Sequence, residues 1–485
     1  MTSSAIALYM LGLSGLATQS AGAQLTLSAA MHQADQSAYA NRVAAGTAAA
    51  QTAQAIAPLK GILPSVHLEA GYVRTTDPIG VFGAKLRQRI VTPSDFDPQR
   101  LNYPGAIGNY QSSVVLEQPV FIADAWAGRK AARRGADASR ESASWTRLST
   151  RVDVVQAYYG AVLAAERAAT LQVAARAAHA HVSQSEAMVR QGLATRSDAL
   201  LASVRAGEID VQLAEADGGA ETARHQLAIM LGFGQGDLPV GMNAPAALPS
   251  ADRIRAVVAA DTTSAPAEPR ADVRAAQEGL AAARADALRA RAAYLPRINS
   301  FARYDWNAPN RPYGGDRNWT VGVMASWNPF GGASELSDVR ATAGRAMAAR
   351  AQTDAARANA TLDIAQTRTT LAVALTRLAI AERSAAQSAE AHRIVSRKYE
   401  GGLATVVELL DAQATEVQSA LALSQARYGA IVGAAERRRA LGGDPATLAA
   451  LDDAARSPAA SAATTLTPTP PDLSRTPAPV APSTR

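Results

Sequence analysis

The strongest constraint in this sequence is a long unit that occurs twice. Three landmarks of the first half return in the second half at a constant offset of 210 positions. They are the pairs Pro119 and Pro329, Gly192 and Gly402, and Leu231 and Leu441. One offset held over more than a hundred residues indicates internal duplication rather than chance. We therefore expect two structural repeats, at residues 24–232 and 269–443, joined by a linker at 233–268.

Each repeat is predicted to contain a helix, two strands, a very long helix, a tip and a shorter helix. The predicted strands are residues 65–75, 111–121, 297–306 and 318–327, and the predicted long helices are 123–191 and 334–399. At about 1.5 Å per residue, each long helix would span about 100 Å, which is too long for a globular domain. The predicted tips are Gly192, Leu193, Ala194 and Thr195, and Gly402, Leu403, Ala404 and Thr405. Residues 77–109, rich in Pro, Gly, Asp and Asn, are predicted to form a loop.

Composition favours long, thin helical packing over a compact core. Aromatic residues make up only 5% of the chain, whereas alanine, the best helix former, is abundant. The net charge of +6 is spread without a basic block, so we expect no nucleic-acid partner. The absence of cysteine excludes disulfides, thiolate metal sites and cysteine nucleophiles.

The two ends of the chain carry different signals. Residues 1–23 resemble a secretory signal peptide, with an apolar core and a small-residue cleavage site ending at Ala23, although no Lys or Arg precedes Arg42. An apolar N-terminal helix is the alternative interpretation. No later apolar run is long enough for a transmembrane helix, so the chain is predicted to be periplasmic, secreted or an outer-membrane β-barrel. Residues 444–485 are predicted to be a tail, disordered from about 457 because Pro, Thr, Ser and Ala dominate there.

The last predicted strand has the pattern of a membrane strand. Trp319 and Trp327 lie on one face with valines between them, about 26 Å apart along the strand. That spacing matches an apolar band flanked by aromatic girdles, although a half-buried strand of a soluble sheet has a similar pattern. Because four strands cannot close a barrel and a membrane excludes open edges, the chain would have to pool its strands with copies of itself. Three copies would give about 12 strands, an even number within the usual range. The sequence therefore predicts a homotrimer embedded in outer-membrane lipid.

The chain resembles the TolC family of outer-membrane efflux proteins. The resemblance is based on residues 116–121 and 327–332, the paired Leu-Pro junctions before strands, and the two Gly-Leu-Ala-Thr tips. The resemblance implies a mostly α-helical homotrimer with a small β part: a long coiled-coil barrel below a 12-stranded transmembrane β-barrel with four strands per chain. It implies a passive duct in the outer membrane of a Gram-negative bacterium, with a long periplasmic extension. The implied partners are a periplasmic adaptor and an inner-membrane pump, proton-driven or ABC, with no cofactor.

The resemblance also assigns a gate to the helix tips. Glu408 and Asp411 match the carboxylates that ring the pore, and they share one helix face with Thr415 and Gln418. In a trimer, six carboxylates would attract polyvalent cations, and neutralising both positions is expected to relieve a cation block. A solvated pair without a pore is the alternative. The adaptor is expected to dock on the tips.

A latch between neighbouring tip helices is less well defined. Asp198 and Tyr399 match latch positions of the family, but Ala404 stands where some relatives carry arginine. Arg196 is our candidate for the missing cation, with Arg397 as a second.

Other functions have little support in the sequence. His179 and His181 are two residues apart and would not face each other on a helix, so we expect no metal site. No phosphate-binding loop, zinc-protease motif or nucleophile elbow is present, so we expect no enzyme. The remaining alternative is a periplasmic or secreted coiled-coil interaction protein without a pore.

Overall fold

The computed structural model describes residues 25–192, 194–234, 236–239, 245, 247–261 and 269–453. The predicted signal peptide, Leu193 and the tail from 457 onward lie outside the described residues. The first repeat contains helices α1 (Leu27–Ser37), α2 (Tyr39–Gln54), α3 (Pro78–Arg87), α4 (Pro98–Asn102), α5 (Ala123–Arg190) and α6 (Arg196–Met230). Its strands are β1 (Ser65–Thr75) and β2 (Ile107–Phe121).

The second repeat has the same order of elements. Helix α7 (Ala251–Ala260) precedes it, and its helices are α8 (Ala271–Ala292), α9 (Ser334–Glu400) and α10 (Val406–Ala440). Its strands are β3 (Arg297–Ala308) and β4 (Asp316–Ser326), and α11 (Ala450–Asp453) follows. The four strands and the two long helices begin and end within about four residues of the predicted bounds. Among the described residues, no helix is both long and apolar enough to cross a membrane.

The prediction that residues 77–109 form a loop is wrong in part, because they contain two helices and a 3₁₀ turn. Asp77 begins α3 by accepting a hydrogen bond from the Gly80 amide at 2.6 Å, and Asp97 begins α4 in the same way with the Gln99 amide at 2.8 Å. A proline follows each aspartate at the first helical position, where its missing N–H costs nothing. The Asp-Pro dipeptides that suggest a loop are thus helix starts.

Two other predicted segments differ from the structure. The single helix predicted before the first strand is broken at Ala38, where the Asn41 side-chain amide donates to the Ala34 carbonyl at 3.1 Å. The linker contains α7, which Ser250 caps through the Arg253 amide at 3.3 Å. Both features depend on local hydrogen bonds between side chains and the backbone. Such bonds favour a helix break or a helix start where the sequence pattern predicts a continuous helix or a linker.

The four strands form one antiparallel sheet in the order β1-β2-β3-β4. Ser65 pairs with Glu117, Leu116 with Ala302, and Ala302 with Val321, which fixes the register across all four strands. The connections from β1 to β2 and from β3 to β4 lie at one end of the sheet, and the long helices begin at the other end. The sheet therefore has a loop end and a helix end.

The long helices are covered by shorter antiparallel partners. Helices α6 and α10 return along the C-terminal halves of α5 and α9, while α2 and α8 pack nearer their N-terminal halves. Arg134 of α5 pairs with Glu278 of α8 at 2.8 Å, and Arg274 of α8 pairs with Glu141 of α5 at 2.8 Å. These ion pairs join the second repeat to the first.

The main core lies midway along the helices and includes the end of the described chain. Tyr158 and Tyr159 are fully buried, and their hydroxyls donate to the Asp452 carboxylate at 2.9 Å each. The Leu27 amide donates to the same carboxylate at 2.7 Å. Residues 445–453, which we predicted to belong to a tail, instead form a 3₁₀ helix and α11 packed on this core.

Candidate functional site

The two helix tips have the same backbone geometry. Gly192 and Gly402 both adopt a φ of +73°, the left-handed conformation that favours glycine after a helix end. The Leu403 amide then donates to the Lys398 carbonyl at 2.8 Å, which closes the end of α9. The sequence offset of 210 therefore corresponds to a repeated structural turn.

Each tip continues into a helix with a reciprocal cap. The Glu408 amide donates to the Thr405 hydroxyl at 3.2 Å, and the Thr405 amide donates to the Glu408 carboxylate at 2.8 Å. Thr195 and Asp198 make the same pair of hydrogen bonds at 3.3 and 3.0 Å. Sequence reasoning overlooked this role, although Thr-x-x-Glu and Thr-x-x-Asp at a helix start are its signature.

The proposed gate carboxylates lie on an exposed face of α10. Glu408, Asp411, Thr415 and Gln418 are all exposed in the protomer. The opposite face of the helix buries Leu409 and Leu410, so the polar stripe is free to line water. The arrangement can present two carboxylates, about one helical turn apart, to a solvent-filled space.

A cation that sequence reasoning missed lies near this pair. Arg205 of α6 forms an ion pair with Glu208 at 2.8 Å. That hydrogen bond, together with the charges of Glu208 and Asp411, raises the pKa of Arg205. Arg205 is therefore a positive charge on the first hairpin that interacts electrostatically with Asp411 on the second.

The structure separates the three predicted latch residues within one protomer. Tyr399 is buried against Ala202 and Leu409, and its hydroxyl lies 3.5 Å from that of Ser185. Asp198 is engaged with Thr195, whose hydrogen bonds lower the pKa of the aspartate. Arg196 is exposed, and no hydrogen bond joins these three side chains in the described part of the chain.

A histidine pair joins the two hairpins a short distance from the tips. The rings of His181 in α5 and His392 in α9 meet edge to face with centroids 6.5 Å apart. Glu416 of α10 accepts a hydrogen bond from His392 at 2.5 Å. At about 1.5 Å per residue, both rings lie about 12–14 Å from their helix ends. No three His, Cys, Asp or Glu side chains among the described residues could together hold a metal ion.

Acidification is expected to weaken the contact between the hairpins at this pair. Burial first, and then the neighbouring His392, lower the pKa of His181, while a hydrogen bond with Gln184 opposes them. Since the folded pKa lies below the unfolded one, the opened chain binds more protons, and stability is lost as the pH falls below about 6.5. Thermal unfolding of purified protein at about pH 7.5 and about pH 5.5 measures this loss.

The matched variants for this test are two neighbouring histidines. His181→Gln is expected to reduce the difference between the two pH values. His179→Gln is the control, because the His179 ring is exposed and bonded to Asp210 at 3.1 Å. An unchanged pH dependence in His181→Gln would contradict the assignment.

The register of the sheet separates an apolar face from a polar face. The apolar face carries Val66, Leu68, Tyr72, Val114, Leu116, Ala302, Tyr304, Trp319, Val321 and Val323. The polar face carries His67, Glu69, Glu117, Gln111, Asn109, Arg303, Asp305, Asn307, Thr320 and Asn318. Val321 and Val323 are 63% and 72% exposed in the protomer, so the apolar face has no cover within one chain.

Aromatic side chains mark the two ends of the apolar face. Trp319, which is 71% exposed, lies near the loop end with other aromatics that sequence reasoning did not select. These are Tyr72, Tyr110, Tyr304 and Trp306. Trp327 lies one residue beyond β4, which ends at Ser326, and its indole donates to the Tyr294 carbonyl at 3.0 Å. The predicted strand end at residue 327 is corrected accordingly.

Solved structures of outer-membrane proteins share this fold. The outer membrane protein VceC of Vibrio cholerae is 18% identical, with a TM-score of 0.69 over 86% of this chain and 96% of VceC. The CmeC outer membrane channel of Campylobacter jejuni is 16% identical, with a TM-score of 0.71 over 88% and 90%. The MtrE outer membrane channel of Neisseria gonorrhoeae, solved in its open state, is 19% identical, with a TM-score of 0.68 over 86% and 89%.

The family assignment comes from the sequence itself. No curated protein sequence matched the chain. A family model described as outer membrane efflux protein matches residues 60–233 and 265–443, which are the larger part of the chain. The two matched segments follow the two repeats, and the predicted resemblance to TolC-like channels is confirmed. The chain belongs to the outer membrane efflux protein family.

Proposed function

We propose that three copies of this chain close a 12-stranded barrel in the outer membrane, above a tunnel built from the paired helices. The chain is a protomer of an outer-membrane efflux channel, and channels of its family are trimeric and work in tripartite systems. The observation that supports the barrel is the two-faced sheet, with exposed valines on one side and charged groups on the other. This alternation is the pattern of a strand between lipid and a water-filled lumen.

A coiled-coil protein without a pore fits the structure poorly. Its four-stranded sheet would expose an apolar face and two open edges to water, which favours aggregation. A trimeric barrel pairs the edge strand β1 of one copy with β4 of the next. The family is one of channels rather than enzymes.

The partners follow from the direction in which the tips point. The helix tips extend away from the sheet, so they would reach into the periplasm. The described tip residues are exposed apart from the half-buried Ala194 and Ala404, and Leu403 is 82% exposed. An apolar side chain held out on a fixed turn suits docking to a periplasmic adaptor. An inner-membrane pump, proton-driven or ABC, would supply the energy.

The gate is proposed at Glu408 and Asp411. Six carboxylates from three copies of the exposed α10 face would surround the axis, as acidic rings do in cation-binding pores. Cations would collect there, and a polyvalent cation would block the current. Arg205 of α6, which is paired with Glu208, carries a positive charge that interacts electrostatically with Asp411 and would weaken the field of the ring.

Removing the two gate charges is expected to relieve the block by trivalent cations. In Glu408→Gln/Asp411→Asn, the blocking concentration should rise by about tenfold or more, because the charge that concentrates the blocker is absent. Glutamine preserves the cap with Thr405, so the tip keeps its fold. Single-channel current in planar bilayers measures the effect.

The control for this experiment removes two carboxylates from the first hairpin. Glu215→Gln/Asp217→Asn changes the net charge equally, at exposed positions of α6 that lie about 30 Å along the helix from the tip. It should leave the cation block close to that of the unmodified channel. A block of Glu408→Gln/Asp411→Asn as strong as in the unmodified channel would refute the gate assignment.

A further inference from the structure

We propose that the first external loop, residues 76–106, folds over the polar face of the sheet and sets the size limit for solutes at the outer mouth of the channel. The inference rests on the barrel proposed above, because only in a closed barrel does the polar face become a lumen. The loop joins β1 to β2 at the loop end of the sheet, away from the helix tips. It is therefore distinct from the proposed periplasmic gate.

The first anchor of this loop is a chain of amide side chains. The Gln88 side chain donates to the Asn109 side-chain oxygen at 2.8 Å and to the Gly108 carbonyl at 3.0 Å. Asn109 in turn donates to the Asn307 side-chain oxygen at 2.9 Å. All three amide side chains are at least nine-tenths buried, and Asn109 and Asn307 belong to the polar face. The loop thus covers the side of the sheet that would face the lumen.

The second anchor carries the loop across the sheet to β4. Arg89, with a positive φ of 52°, turns back from the end of α3. Its guanidinium lies 3.7 Å from the Asp316 carboxylate and donates to the Arg317 carbonyl at 3.4 Å. Asp316 pairs with Asn307 in the register and lies on the polar face. Because β3 separates β2 from β4, the loop spans three strands.

The loop is a folded body rather than a flexible tether. Lys85 and Asp95 form an ion pair at 2.6 Å, and the hydrogen bonds from Lys85 and then from Thr92 lower the pKa of Asp95 to about 2. The rings of Phe82 and Phe96 meet edge to face at 5.6 Å, and Val81 of the same loop is buried at 2% exposure. A folded loop at a fixed position restricts the passage of solutes by size, whereas a flexible loop would be displaced by the solute.

The second external loop lies on the other side of the sheet. The Tyr313 amide donates to the Ser112 hydroxyl at 3.1 Å, and the Tyr313 ring packs against Trp306 at 5.7 Å. Ser112 and Trp306 belong to the apolar face. The two external loops therefore divide between the faces, and the first loop from each of three copies would converge in the mouth.

The test uses a reporter thiol inside the barrel of the assembled channel in intact cells. Since the sequence has no cysteine, Glu69→Cys supplies one thiol in each chain and no other. Glu69 lies on the polar face, about 20 Å along β1 from the loop end. Cells are treated from outside with a small methanethiosulfonate or with a bulky polyethylene-glycol maleimide that does not cross the outer membrane. Labelling from outside does not require the periplasmic gate to open.

With the loop anchored, Cys at position 69 should react with the small reagent and only slowly with the bulky one. Gln88→Ala/Arg89→Ala removes both anchors and is expected to speed the bulky reaction about tenfold. Replacing residues 78–104 with a short Gly-Ser linker should have at least that effect. Ile79→Ala, at a position 84% exposed on the same loop, is the matched control and should change neither rate.

Two results would overturn the proposal. One is fast labelling by the bulky reagent with the loop intact; the other is an unchanged bulky rate in both release variants. A different result would show that the proposed barrel itself is wrong. Tyr103→Cys, 86% exposed on the loop, should be labelled from outside by both reagents, and loss of that labelling would refute the membrane topology rather than the size limit.

Discussion

Val321→Arg is expected to prevent stable assembly of the channel in the outer membrane. Val321 lies near the middle of β4 on the apolar face, and it is 63% exposed in the protomer. An arginine facing lipid at mid-membrane depth costs about 2–4 kcal/mol per chain, and a trimer would carry three. Outer-membrane fractions should therefore lack heat-modifiable trimers, as judged by electrophoresis with and without boiling.

The neighbouring residue offers a matched control for this prediction. Thr320 precedes Val321 in β4, but it pairs with Arg303 on the polar face. Thr320→Arg adds the same side chain at almost the same depth, pointing toward the proposed lumen, where water can solvate it. Trimers should persist in this variant. Equal yields of trimer from Val321→Arg and Thr320→Arg would mean that the apolar face does not meet lipid.

Asp452→Ala is expected to cause a large loss of stability in the main core. The carboxylate accepts hydrogen bonds from the Leu27 amide and from the hydroxyls of Tyr158 and Tyr159. Its removal takes the partner from the buried Tyr159 hydroxyl, whose pKa is raised by burial and then by Asp452. Hydrogen bonds to a charged group contribute about 1.5–3 kcal/mol each, so a loss of about 3 kcal/mol is expected. Thermal unfolding of the purified channel measures it.

Two truncated chains distinguish the contribution of Asp452 to stability from that of the residues that follow it. A chain that ends after Asp453 retains the contacts of Asp452 and should unfold near the temperature of the full chain. A chain that ends after Gly443 loses the whole packed segment, including the buried Leu448 and Leu451, and should be at least as unstable as Asp452→Ala. Equal stability of the two truncated chains would show that the segment contributes little.

The order and bounds of the main elements were predictable because their signals are local. Strand β1 ends at the predicted residues, and α5 ends one residue from the predicted end. Alternating apolar residues, Pro and Gly punctuation and the offset of 210 all act within one segment or between equivalent segments. The misses were also local: α3, α4 and α7 are short helices whose capping side chains were read as loop residues.

The contacts that join the two repeats could not be read from the sequence. His181 meets His392, Asp452 meets Tyr159, and each pair lies on elements far apart in the chain. Only the packing of helices brings such residues together, and periodicity gives no partner for a given side chain. The exposed stripe at Glu408 and Asp411 followed from helical spacing, but the proximity of Arg205 depends on how α6 packs beside α10.

The reciprocal cap at Thr405 and Glu408 limits how the pore can diversify during evolution. A mutation at Glu408 acts on the start of α10 as well as on the charge of the proposed ring, so cargo preference and folding are selected together. Glutamine keeps the cap and removes the charge, and aspartate keeps both, as Asp198 does in the first repeat. Asp411 takes no part in the cap. Lineages that change the charge of their cargo should therefore vary first at position 411.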